Sequence, residues 1–340
     1  MRLAGIDAMR SLAIILVVAQ HTSLMGDDKT AVDYLYKNLV ANSSVFFVAL
    51  SAYLAAHISW PKQRWTDFMR KKVALLLPPF VCISLLALTK AYSKCTLGFY
   101  CQDYQLIEVG LGGALFPLWY VPFIMVMFSL TPMLKLYHAQ SLWLQTLVLI
   151  PLCYLSMRIG RPQELTHLAH NLLYFLPAFL LGLSCEKLQR CRQVSTALIV
   201  SLAVAAIGVW LYQSLHLQQF GNAHHPRLGF YAVDWLFVQK AMLSCVLLLL
   251  LSDLRVEQWL QRHPSLLKPL SQLAMMSFGI FFIHGLFTYE LYLLTKPLAH
   301  ISYVLSSVVA MALCLALACA ALTIGQRLIG KRYSRYIAGY

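Results

Sequence analysis

AMRSLAIILVVAQHTSLM, residues 8–25, is an apolar run that carries two ionisable side chains, Arg10 and His21. A helix needs about 20 apolar residues to cross the hydrocarbon core of a bilayer, and this run approaches that length. Asp27 and Asp28 follow the run, and it lacks the small-residue cleavage site of a signal peptide. We therefore predict a transmembrane helix that the mature protein keeps.

Apolar runs of similar length recur along the whole chain. Of its 340 residues, 60% are apolar and 12% are charged, whereas soluble domains have about 25% charged residues. No linker rich in proline, glycine or serine divides the chain. We predict an all-α, polytopic integral membrane protein with one transmembrane domain over residues 1–340 and no separate soluble domain. The predicted spans cover residues 8–25, 39–58, 73–92, 115–134, 141–157, 170–185, 195–213, 230–252, 272–294 and 301–325, about ten helices in all.

The basic residues between the spans predict the orientation in the membrane. With the N-terminus inside, most lysines and arginines of the connections fall on the cytoplasmic side, as the positive-inside rule requires. An even number of spans then places both termini in the cytoplasm. The net charge of +14 is explained by these short loops, so it does not indicate a nucleic-acid partner.

Arg10 and His21 lie on one face of the first predicted helix. They are eleven positions apart, which corresponds to a rise of about 16.5 Å and a rotation of only about 20° around the axis. One stripe thus offers a cation near the cytosolic mouth and a proton-transfer group deep in the membrane. The alternative is structural, with the arginine snorkelling to the interface and the histidine hydrogen-bonded in the bundle.

A basic cluster, Arg70, Lys71 and Lys72, precedes the third span and its Pro78-Pro79 pair. Guanidinium and ammonium groups bind phosphate through charge-assisted hydrogen bonds, so the cluster suits a phosphate-bearing ligand at the cytosolic surface. It fits plain anchoring of the span at the inner interface equally well.

A second histidine, His284, falls near the middle of the ninth predicted span. Ionisable groups inside spans are expensive and usually face the bundle interior, so His21 and His284 are candidates for one joint site. A haem held by two histidines is the rival interpretation, but it assigns no role to Arg10. The other ionisable groups inside the predicted spans are Lys90, Asp234, Lys240 and Glu290.

Two of the nine cysteines, Cys95 and Cys101, share a predicted external loop. A disulfide between them requires an oxidising compartment. Most of the others lie inside spans, where cysteine acts as a small apolar residue.

Five segments, in order, resemble the motifs of the bacterial transmembrane acyltransferase-three family. They are Gly5 to Ala13 with His21, Ser44 to Leu54, the basic run before Pro78-Pro79, Leu118 to Val121, and Ser277 to His284. The resemblance extends over the whole chain and is to the stand-alone members that O-acetylate surface glycans. The family commonly carries two arginines three residues apart before the prolines, and this chain has Lys72 and Leu75 at those positions.

The resemblance implies an enzyme of the bacterial inner membrane that moves an acetyl-type group from acetyl-CoA, as acyl donor, to a surface polysaccharide or lipid-linked glycan. It implies no metal. His21 is then the general base or, alternatively, a transient acyl carrier, and His284 is a second proton or oxyanion partner. The residues expected to bind coenzyme A are Arg10, Arg70, Lys71 and Lys72, and those expected to line the acceptor path are Ser51, Tyr53, Trp119, Tyr120 and Glu290.

Two other classes of function fit the intramembrane charges. A polytopic carrier or flippase for lipid-linked glycans also needs charged groups around a cavity, although the two related halves typical of such transporters are not evident in the sequence. A non-catalytic membrane scaffold is the third interpretation.

Overall fold

The structure, a computed structural model, describes residues 4–23, 30–98, 104–163, 167–191, 194–221 and 224–339. Helices dominate these residues, joined by short turns and one pair of two-residue strands. The helices are Ala4–Thr22 (α1), Ala31–Val40 (α2), Ser44–Leu54 (α3), Trp65–Thr96 (α4), Leu106–Gly110 (α5), Tyr120–Ser129 (α6), Thr131–Ala139 (α7), Leu142–Ile159 (α8), Leu168–Arg190 (α9), Thr196–Leu211 (α10), Trp235–Leu251 (α11), Leu254–Arg262 (α12), Pro264–Ile283 (α13), Thr288–Ala299 (α14) and Tyr303–Ala338 (α15). Strands β1 (Arg161–Pro162) and β2 (His224–His225) pair in parallel.

Eight helical segments of the described chain are long and apolar enough to cross a membrane. Two further candidates are bent pairs, α6 with α7 at 63° and α11 with α12 at 66°, and counting each pair as one span gives ten. These segments confirm an all-α, polytopic membrane protein. The predicted cytoplasmic position of both termini stays a prediction.

Short polar residues start several of the helices by capping their free N–H groups. Thr30 and Asp33 form a reciprocal capping box at α2, and the hydroxyl groups of Ser141, Ser195 and Ser302 each accept a backbone N–H in the first turn of α8, α10 and α15. Such caps satisfy donors that the helix itself leaves unpaired.

Burial separates central from peripheral spans. In α1, 61% of the span residues are buried, whereas the figure is 17% for α8 and for the span that includes α10. Exposed leucines and valines on the peripheral helices are what a lipid-facing surface requires. α15 packs on the centre through the small residues Ser306, Ala310, Cys314 and Ala318, all of which are buried, so that helices approach closely along this ridge.

The predicted ninth span, residues 272–294, is wrong in its bounds. α13 begins at Pro264, eight residues earlier, and ends at Ile283; a single 3₁₀ turn, His284–Leu286, then leads into the separate helix α14. The break packs tightly against the segment just before α6, because a Cβ at Gly285 would lie 3.0 Å from Leu115 and Pro117. Apolar residues on both sides of the break hide it from a hydropathy pattern.

Candidate active site

His21 and His284 are in direct contact, as the sequence predicts for a joint site. His21 Nδ1 lies 2.9 Å from His284 Nε2, and the two rings stack with their centroids 5.2 Å apart. His21 lies in the last turn of α1, and His284 directly follows α13 as its C-cap. The site therefore exists because two helices far apart in the sequence end at the same depth.

The hydrogen bonds of His284 define the proton positions in the pair. Its Nδ1 lies 3.0 Å from the carbonyl oxygen of Ile280 and 2.9 Å from that of Phe281. Carbonyl oxygens only accept, so Nδ1 carries the hydrogen and Nε2 of the neutral ring is an acceptor. His21 must then donate from Nδ1, which leaves a lone pair on His21 Nε2. This is the arrangement of a general base that is oriented by a second group.

The same distance is too short for the rival interpretation, a haem iron held between the two facing nitrogens. Metal–nitrogen bonds of about 2 Å on opposite sides of one ion hold the two nitrogens about 4 Å apart, whereas here they are 2.9 Å apart. A haem ligated by these two nitrogens therefore does not fit. Phe116 completes the enclosure, its ring edge-on to His21 at 4.5 Å.

Helices α1 and α13 run in the same direction, and α13 with its C-cap His284 contacts both Arg10 and His21, the two ends of the predicted stripe. Arg10 Nη2 donates to Ser277 Oγ at 3.3 Å, and eleven residues further along α1 the His21 ring meets His284. The first and ninth spans of a chain that crosses the membrane alternately must run in the same direction, so this pairing agrees with the ten-span topology.

Arg10 lines a cavity of about 440 Å³ at its end of the bundle. Lys72 and Leu75, the two positions where the family motif has arginines, line the same cavity, as do Ser51 and Tyr120. The Tyr120 and Ser51 hydroxyl oxygens are 2.6 Å apart. Two residues predicted to bind the acyl donor and two predicted to line the acceptor path thus line the same cavity.

Three aromatic rings lie between this cavity and the histidines. The rings of Phe47, Tyr120 and Phe281 contact one another with centroids 4.9 to 5.3 Å apart, and Phe281 is 6.2 Å from the His284 ring. Phe47 and Tyr120 line the cavity, whereas neither histidine does. We call these three residues the aromatic partition.

The predicted basic cluster divides between two pockets. Lys72 turns into the Arg10 cavity, where its ammonium nitrogen lies 4.8 Å from the centre of the Phe128 ring. Arg70 and Lys71 line a separate pocket of about 690 Å³ together with Lys62 and Arg64. Consecutive helix residues point in directions about 100° apart, so one basic run serves both pockets.

The other predicted path residues lie apart from one another. Tyr53 is buried and its ring stacks on His57, beside a second cavity that Glu186 also lines. Trp119 stacks on Phe175 with centroids 5.0 Å apart. Glu290 lies on α14 rather than in the ninth span, and each of its carboxylate oxygens is 2.8 Å from a lysine, Lys90 or Lys94.

Two ionisable groups of the predicted eighth span have structural partners. Asp234 precedes α11 instead of lying within it, and its carboxylate caps the helix by accepting the N–H of Phe237. Lys240 is buried and donates to the carbonyl oxygen of Leu39.

Arg161 is the residue near the histidines that sequence reasoning missed. In the sequence it lies between two predicted spans, where an arginine is expected to be solvated. In the structure only 2% of it is exposed. Its guanidinium lies about 6 Å from the ring centres of Trp119 and Phe175. No local signal distinguishes a buried loop arginine from a solvated one, because its burial depends on segments distant in the sequence.

Cys95 is disulfide-bonded. Cys101, with which the sequence pairs it, lies outside the described residues. The pairing of these two cysteines stays a prediction.

Comparison with known families identifies the family of this chain. A family model described as an acyltransferase domain matches residues 3–322, nearly the whole chain. The searches of curated proteins and of solved structures found no match. The matched segment contains Arg10, the basic cluster and both histidines. The chain therefore belongs to the acyltransferase-three family and is a membrane acyltransferase.

Proposed function

We propose that this protein transfers an acetyl-type group from acetyl-CoA on the cytosolic side to a hydroxyl group of a glycan on the other side of the membrane. The observation that carries the proposal is the hydrogen bond between His21 and His284, whose partners leave His21 Nε2 as a free base. The family match supports acyl transfer in place of the carrier and scaffold alternatives.

The reaction follows from the tautomers. His21 Nε2 takes the proton of the sugar hydroxyl as its oxygen attacks the thioester carbonyl carbon. The tetrahedral intermediate collapses, the carbon–sulfur bond breaks, and the leaving thiolate takes the proton back from Nε2, so that the ester and the free thiol are the products. His284 Nε2 accepts a hydrogen bond from the imidazolium in between, and a hydrogen bond from a charged donor is stronger than one between neutral groups.

The donor enters from the Arg10 end in this proposal. Arg10 and Lys72 hold phosphate in the cavity, and Arg70 and Lys71 supply a second cationic pocket next to it. The thioester has to travel on the order of 16 Å along α1 to reach His21. It must pass the aromatic partition, so these rings have to move during turnover.

A sided transfer assay tests this function. Inverted vesicles containing the protein receive radiolabelled acetyl-CoA outside and a glycan acceptor inside. We expect base-labile label on the enclosed glycan, because the chain itself spans the barrier between donor and acceptor. Vesicles without the protein are the control. Glycan movement across the membrane without labelling would contradict the proposal and favour a carrier.

Replacing Leu75 by arginine is expected to lower the KM for acetyl-CoA. Leu75 lines the cavity beside Arg10 and Lys72, so a guanidinium there adds a third phosphate-binding cation. One such contact is worth about tenfold in KM, or about 1.4 kcal/mol. Steady-state kinetics with Leu75→Met as the uncharged control measure the effect. An equal KM in both variants would remove this cavity from the donor site.

A further inference from the structure

Arg161 is held in place by the connection between α8 and α9. Gly160, just before it, has φ +62° and ψ 178°, a combination that only glycine adopts readily. Arg161 then pairs with His224 in the β1–β2 ladder. These local constraints turn its side chain into the bundle end where His21 lies instead of into solvent.

Two nitrogen atoms of the Arg161 guanidinium lack hydrogen-bond partners in the part of the chain that the structure describes. Among the described residues, its Nε and Nη1 have no hydrogen-bond partner. Asp234, whose charge acts on Arg161, accepts instead from Tyr174 at 2.8 Å and from Phe237 at 3.1 Å. Leaving a buried charged donor unpaired costs more free energy than leaving a neutral one unpaired, so hydrogen bonds within the described part of the protein do not account for this arginine.

One short turn links Arg161 to the histidine pair. Phe116 and Trp119 begin and end the same 3₁₀ turn, and residues three apart in a 3₁₀ helix lie on the same face, about 6 Å apart along the axis. Phe116 contacts His21 and Trp119 contacts Arg161. The guanidinium therefore lies at the same end of the bundle as the imidazole, and its charge acts on His21.

The surroundings of His21 are cationic. Among the described residues, the cations whose charges act on it are Arg161 and Lys37. The ammonium group of Lys37 donates two hydrogen bonds to Ser23, one to the carbonyl oxygen at 2.6 Å and one to Oγ at 3.0 Å. Of these two cations, Arg161 is thus the one whose N–H groups remain for a ligand.

We propose that Arg161 binds a carboxylate or phosphate group of the acceptor, so that the acylated unit is an acidic sugar. This rests on the proposed function, because it places the reacting hydroxyl at His21. The guanidinium contacts Trp119 whereas His21 contacts Phe116, so we assign Arg161 to a substituent of the acceptor and not to the reacting carbonyl. An anionic oxygen also satisfies a guanidinium in a way that a neutral hydroxyl group does not.

A binding experiment tests the proposal independently of catalysis. Titration calorimetry of the purified protein compares a glucuronate oligosaccharide, a sugar phosphate and a neutral glucose oligosaccharide. We expect the wild type to bind one of the two anionic probes at least about tenfold more tightly than the neutral one, and Arg161→Gln to lose this preference. Arg161→Lys, which keeps the charge, should retain part of it. Equal affinity for charged and neutral probes, or no change in Arg161→Gln, would overturn the proposal.

Kinetics separate failure of this inference from failure of the proposed function. With transfer established, Arg161→Gln should raise the KM for the anionic acceptor at least about tenfold and leave the KM for acetyl-CoA unchanged. Arg158→Gln, three residues earlier in the last turn of α8, is the matched control. Similar losses with anionic and neutral acceptors would contradict the inference alone. Absence of transfer by the wild type would contradict the proposed function, and the binding result would still decide the role of Arg161.

Discussion

Replacing His21 by alanine is expected to lower kcat for acyl transfer by about 10³-fold. A positioned general base contributes about 10²–10⁴-fold, and no other described residue holds a neutral imidazole nitrogen in the same place. Such a loss corresponds to about 4 kcal/mol of transition-state stabilisation. The KM for acetyl-CoA should change little, because the proposed donor-binding residue Arg10 lies about 16 Å from His21 along α1.

Initial rates of label transfer in vesicles measure this effect. His263→Ala removes an exposed histidine just before α13, whose ring contacts Trp259, and it should behave as the wild type. Retention of more than about a tenth of the wild-type kcat by a folded His21→Ala protein would show that another group is the base.

Two replacements of His284 should differ in a way that reports its role. His284→Leu leaves His21 Nδ1 without an acceptor, so its hydrogen can shift to Nε2, and the imidazolium loses its hydrogen bond. We expect a fall in kcat of about 10²-fold. His284→Gln places an amide oxygen near the position of the lost Nε2 and should recover at least about tenfold of that loss.

The rescue separates orientation from proton transfer. An amide accepts a hydrogen bond but does not take up a proton at neutral pH, so recovery in His284→Gln means that His284 holds and stabilises His21. Equal losses in both variants would instead assign His284 a direct proton-transfer role. Label transfer and thermal stability are measured in parallel, because both variants also lose the contacts of the ring with Ile280 and Phe281.

Properties that depend on neighbouring residues could be predicted well. The apolar runs identify the spans, since crossing a bilayer demands a local stretch of apolar residues. The shared face of Arg10 and His21 follows from helix geometry, and the structure bears it out in the contacts of Arg10 with Ser277 and of His21 with His284. The basic run before α4 was likewise recognisable, but the division of its side chains between two pockets was not.

What remained hidden depends on segments that meet only in the folded bundle. The tautomer of His21 is set by a ring 263 positions away, and the burial of Arg161 requires the turn of Trp119 and the helix of Phe175 to close over it. The break at His284 is shaped by packing on Leu115 and Pro117. Hydropathy and helical periodicity describe each segment by itself, so they identify the spans and the chemically capable residues, whereas packing between distant segments decides which of those residues share a site.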